Sequence, residues 1–114
     1  MRKTRKNKLA IVSNESDLCM NITHSNTTVG LDLFFPETIH ELVNIDVNIV
    51  VVDLNDKAIS AFNIKKSNFV LIGVINRLNK HIERKARDSG YDIIFTKSML
   101  IKNYKTIITQ IING

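Results

Sequence analysis

Ile49-Val50-Val51-Val52-Asp53-Leu54 is the stretch that decides how this chain folds. Four consecutive β-branched residues are poor helix formers and good strand formers. An apolar run without alternation suits a strand covered on both faces, as in the middle of a parallel sheet. Asp53 ends the run abruptly. A carboxylate directly after so much apolar surface must reach water, a donor or a cation at the sheet rim, because burying it alone is costly.

Before this strand, residues 8–13 form a shorter apolar run that closes on polar Ser13 and reads as the first strand. Leu18, Cys19 and Ile22 recur at helical spacing over residues 14–25, with Asn14 placed to cap and Asp17 in the first turn. Residues 29–35 read as the second strand, and Pro36 opens a second helix with Ile39, Leu42 and Val43 on its apolar stripe. After the central strand, Ala58, Ile59 and Phe62 mark a third helix over residues 56–63, and residues 69–74 a fourth strand. Residues 79–89 form a polar fourth helix with Ile82 and Ala86 on one line and Gly90 as its stop. A brief fifth strand at residues 93–96 leads into a last helix, capped by Ser98, whose stripe includes Leu100, Tyr104, Ile108 and Ile111. Strand and helix alternate five times. That order predicts an α/β protein with a doubly wound, five-stranded parallel sheet in three α/β/α layers. One domain is expected over residues 8–114, preceded by a basic, disordered tail at residues 1–7.

The net charge of +5 is concentrated at the N-terminus: Arg2, Lys3, Arg5 and Lys6 in the tail and Lys8 directly after it leave 11 basic residues against 11 acidic ones in the rest of the 114-residue chain. No apolar run approaches the roughly 20 residues of a membrane span. Cys19 is the single cysteine, which excludes an intrachain disulfide and a Cys-pair metal site and suits a reducing cytoplasm. His24, His40 and His81 fall on three different elements without metal-ligand spacing. Neither a Walker loop nor a GxGxxG turn is present, and no nucleophile triad is supported, so the sequence points to a binding module rather than an enzyme.

In doubly wound sheets the chemistry gathers outside the carboxyl ends of the strands. Those ends offer Ser13 and Asn14, Asp53 and Asn55, Gly73, and Thr96 and Lys97. Lys97 is the candidate cation for Asp53.

The order of these residues resembles the response-regulator receiver family over residues 8–112, a family with a flavodoxin-like fold. Ile49-Val50-Val51-Val52-Asp53-Leu54 is similar to the third-strand motif ending in the phosphorylated aspartate, and Gly90-Tyr91-Asp92-Ile93-Ile94-Phe95-Thr96-Lys97-Ser98 resembles the segment that carries the active-site lysine. The resemblance implies Asp53 as phosphoacceptor and Lys97 as its charge partner. It also implies Mg²⁺ as cofactor, with Asn14, Glu15, Asp53 and the backbone carbonyl of Asn55 around it, and a protein partner or self-association through the fourth helix, fifth strand and fifth helix.

The departures from that pattern carry equal weight. Receivers place two acidic residues after the first strand, where this chain has Ser13 and Asn14, with Glu15 one place later. Magnesium prefers carboxylate and water oxygens, so a hydroxyl and an amide there weaken the site. Gly73-Val74 stands where the family has a hydroxyl residue followed by a small one, Ile94 where it has a switch aromatic, and Ser98 where it has a proline. The expected function is therefore a pseudo-receiver, a protein-interaction module in bacterial two-component-type signalling with impaired aspartyl phosphorylation. Two alternatives stand beside it. One is a phosphorylatable receiver in which Glu15 holds the metal. The other is a nucleic-acid-binding accessory protein that uses the basic tail and the cluster Arg77, Lys80, Arg84, Lys85 and Arg87.

Overall fold

The computed structural model describes residues 7–37, 41, 46–55 and 69–113. Residues 1–6 of the tail and the stripes of the expected second and third helices lie outside the described residues. The elements in chain order are β1 (Lys8–Val12), α1 (Ser16–Asn26), β2 (Asp32–Phe34), β3 (Ile49–Asp53), β4 (Val70–Ile75), α2 (Lys80–Asp88), β5 (Ile93–Thr96), α3 (Lys97–Lys102) and α4 (Tyr104–Asn113). The fourth expected helix is thus α2, and the fifth is split into α3 and α4.

All four strand pairings are parallel, and the sheet order is β2-β1-β3-β4-β5. This is the doubly wound order whose direction of winding reverses between β1 and β3. Every residue of β3 is buried, as its unbroken β-branched run requires. Alternation along β3 then separates two cores. Val50 and Val52 join Leu71, Ile75 and Ala86 on the α2 side. Ile49 and Val51 join Leu18, Ile22, Leu100, Tyr104 and Ile108 on the side of α1, α3 and α4. Asp53 continues the Ile49, Val51 alternation and so leaves the sheet toward α1 and α3.

Local details differ from the sequence-based expectation. Glu15, not Asn14, is the N-cap residue of α1, and its own N–H donates to Ser13 Oγ at 3.0 Å just ahead of the helix. Thr96, not Ser98, caps α3, accepting from Met99 N at 3.1 Å. Asn79, the first residue of the expected fourth helix, is the N-cap of α2, accepting from the backbone of His81 and Ile82. β2 is shorter than expected because Gly30, at φ 81°, completes the turn that follows α1. Among the described residues, no helix is long and apolar enough to cross a membrane.

Candidate functional site

Three chain segments meet at the carboxyl rim of the sheet, beside the β1/β3 reversal. Val12 pairs with Val52, so Ser13 follows β1 at the level where Asp53 ends β3. Glu15 stands at the entrance to α1, and Lys97 opens α3 straight after β5.

Asp53 is only 2% exposed, and both oxygens of its carboxylate have partners. Oδ1 accepts from the backbone N–H of Asn55 at 3.0 Å. Oδ2 accepts from Ser13 Oγ at 2.8 Å and lies 3.1 Å from Lys97 Nζ. The same ammonium donates to Glu15 Oε2 at 2.7 Å, so one cation bridges two carboxylates. Lys97 is itself buried at 9% exposure. Burial disfavours its ammonium, yet the hydrogen bonds and charges of Glu15 and Asp53 outweigh that, and the net effect holds its pKa above the ordinary lysine value. Next door, the Cys19 thiol is pushed up by burial, and further by the Asp53 and Glu15 charges. Its Sγ lies 3.9 Å from Ser13 O, the geometry of a packed thiol rather than a reactive one.

The residues expected around Mg²⁺ do not converge as a ligand set. Glu15 is turned to Lys97 and Asn14 is exposed, while the Asn55 side chain, which is not the group expected to face the ion, accepts from Asn76 N. Among the described residues, no group of three or more His, Cys, Asp or Glu side chains could hold a metal ion. Magnesium needs several oxygen ligands in near-octahedral order. Here the two carboxylates already share an ammonium, and Asp53 is closed off from solvent. These residues do not fit the ion.

Gly73 is not a rim residue. It pairs with Val52, two positions before the end of β4, and a Cβ there would point at Leu54 and Tyr91, on the opposite side of the sheet from Asp53. The β4 residue beside Asp53, in register with it and on the same side, is Val74, which is buried and apolar. β4 therefore supplies no hydroxyl to the carboxylate, and Val74 is the residue responsible. Ile94 is buried in the α2-side core.

Two contacts escaped sequence reasoning. The Glu15 to Lys97 pair spans 82 residues, and nothing local announces it. Asn26 was legible in principle: it follows Leu18 and Ile22 at four-residue steps and so falls on the buried line of α1. Its Nδ2 donates to Leu31 O at 2.8 Å, and its Oδ1 accepts from Leu31 N at 3.3 Å and from Tyr104 Oη at 2.9 Å, tying α1 to the start of β2 and to α4.

Solved structures share this arrangement of strands and helices. The BeF3-activated DrrB receiver domain superposes with a TM-score of 0.81 at 13% identity, over 96% of this chain and 100% of that one. The fold is that of a response-regulator receiver. The Thermotoga maritima OmpR/PhoB homologue DrrB matches with a TM-score of 0.74 and 14% identity over 93% of this chain, which spans 54% of the DrrB chain. HP1043, an orphan response regulator of H. pylori, matches with a TM-score of 0.68 and 17% identity, over 88% of this chain and 94% of that one. No protein-family model matches the sequence, and no curated protein matches it significantly.

Proposed function

We propose that this receiver fold serves as a pseudo-receiver, an interaction module of bacterial two-component-type signalling that works by binding rather than by phosphotransfer. The observation that carries the reading is the bridging ammonium: Lys97 Nζ lies 2.7 Å from Glu15 and 3.1 Å from a 2%-exposed Asp53. A buried carboxylate that already holds a lysine, a serine hydroxyl and a backbone N–H must give up part of that set before a metal-held phosphodonor can reach it. The β5 edge with α3 and α4 offers a surface for a protein partner or a second copy. Phe95, Ile101 and Ile111 are only partly buried there and Met99 is 47% exposed.

The test is direct. The protein is incubated with Mg²⁺ and a small phosphodonor and its intact mass is measured. The expected spectrum is unchanged. One added phosphoryl group on the parent chain that is missing from Asp53→Ala would overturn the reading in favour of a phosphorylatable receiver.

A further inference from the structure

The outer half of α2 carries a pattern that the Asp53 site does not use. Ile82 and Ala86, four residues apart, face the sheet. On the outer side Lys80, Arg84 and Arg87 follow one another at steps of four and three, which sets them in a single row. His81 and Lys85 form a second row beside it, and Arg77 continues the basic surface before the N-cap. All six side chains are exposed. Among the described residues, Lys80, Arg84 and Arg87 take part in no ion pair. The acids of the helix, Glu83 and Asp88, lie on its flank and at its carboxyl end.

We infer that this face binds the phosphate backbone of a nucleic acid. The row from Lys80 to Arg87 is about 10 Å long at the helical rise. Duplex DNA presents about six phosphate charges over that length. The row from Lys80 to Arg87 is made of repeated exposed cations with no apolar or aromatic side chain among them, as sequence-independent phosphate contact requires, whereas a protein interface draws its energy from buried aromatic and apolar anchors. Leu78, 68% exposed, lies outside the row, before the N-cap. The whole chain carries the same sign, with a net charge of +5 and a second basic cluster at Arg2 to Lys8. The inference does not depend on the phosphorylation state of Asp53.

The experiment is fluorescence anisotropy of a labelled mixed-sequence DNA duplex with the full chain, titrated over a fourfold range of salt. Three phosphate contacts, one each from Lys80, Arg84 and Arg87, predict an affinity loss of about fortyfold over that range. Arg84→Gln with Arg87→Gln should lower the slope of log affinity against log salt by about two. Lys102→Gln with Lys105→Gln removes the same charge from exposed positions on the other side of the sheet and should change it much less. Circular dichroism checks that both variants are folded. Three results would overturn the inference: no binding at the lowest salt, equal losses in the two double variants, or displacement of the duplex by an equal charge of polyglutamate, which would assign the face to acidic proteins.

Discussion

Lys97 Nζ sits closer to Glu15 Oε2, at 2.7 Å, than to Asp53 Oδ2, at 3.1 Å. The two carboxylates are not equivalent. The Glu15 side chain is 45% exposed and water can replace its lysine, while the Asp53 side chain is 2% exposed and depends on Lys97 and Ser13. The roles of the three residues separate on that difference in solvent access.

Replacing Lys97 by Met should therefore be far more damaging than replacing Glu15 by Gln. Removing one partner of a buried ion pair strands the other, at a cost of about 3–5 kcal/mol. A half-exposed pair is screened, and its loss costs about 1 kcal/mol or less. Urea denaturation of the two variants measures both, and equal midpoints would show that Lys97 does not support Asp53.

The elevated pKa of Lys97 also fixes the sign of an alkaline effect. A group whose folded pKa exceeds its unfolded value contributes stability that is full below the unfolded value and is lost as pH rises through the folded one. The window opens above about pH 10.4, the ordinary lysine value. Tyr91 and Tyr104, raised by burial, act in the same direction above their own ordinary value. The comparison that isolates the lysine is thus parent against Lys97→Met: the parent should lose stability more steeply above that pH. Parallel curves would contradict the pairing.

Gly73→Ser should destabilise the fold and leave the Asp53 site unchanged. A Cβ at Gly73 would come within 2.7 Å of Leu54 Cδ1 and 3.1 Å of Tyr91 Cδ2, so the α2-side core must shift. Overpacking of this kind costs about 1–3 kcal/mol. Thermal unfolding reads the loss. A gain of phosphodonor reactivity in this variant would mean that the new hydroxyl reaches the rim after all.

Asn26→Leu should cost about 2–3 kcal/mol, because it leaves the Tyr104 hydroxyl and the Leu31 backbone without their partner inside the protein. Tyr104→Phe should cost less, since Asn26 keeps both contacts to Leu31. A double-mutant cycle by chemical denaturation should give a coupling above about 0.5 kcal/mol. Strict additivity would show that the hydroxyl contact contributes nothing.

Much of the architecture was legible from local pattern. The β-branched run at Ile49 to Val52 and the apolar run before Ser13 announce buried parallel strands, the short run at Ile93 to Phe95 a half-buried edge strand, and Gly90, at φ 103°, terminates α2 where its sequence position predicts. The helix starts were read one or two residues wrongly. Asn14 and Ser98 are good caps by type, but the turns leaving β1 and β5 place Glu15 and Thr96 at the cap positions. The last helix reads as continuous because its apolar stripe is unbroken, yet it is interrupted at Asn103.

The sequence by itself determined the strand runs, the alternation with helices and the places of Asp53 and Lys97 at strand ends, because each follows from local propensity and periodicity. Only the tertiary structure decided what those residues do to one another. Strand register and side-chain parity put Ser13, Glu15 and Lys97 on the same side of the sheet as Asp53, and put Gly73 on the other. Parity has a period of two, so a shift of one residue exchanges a rim hydroxyl for a core contact. A pattern of residue types does not carry that register across the 40 or more positions that separate these partners.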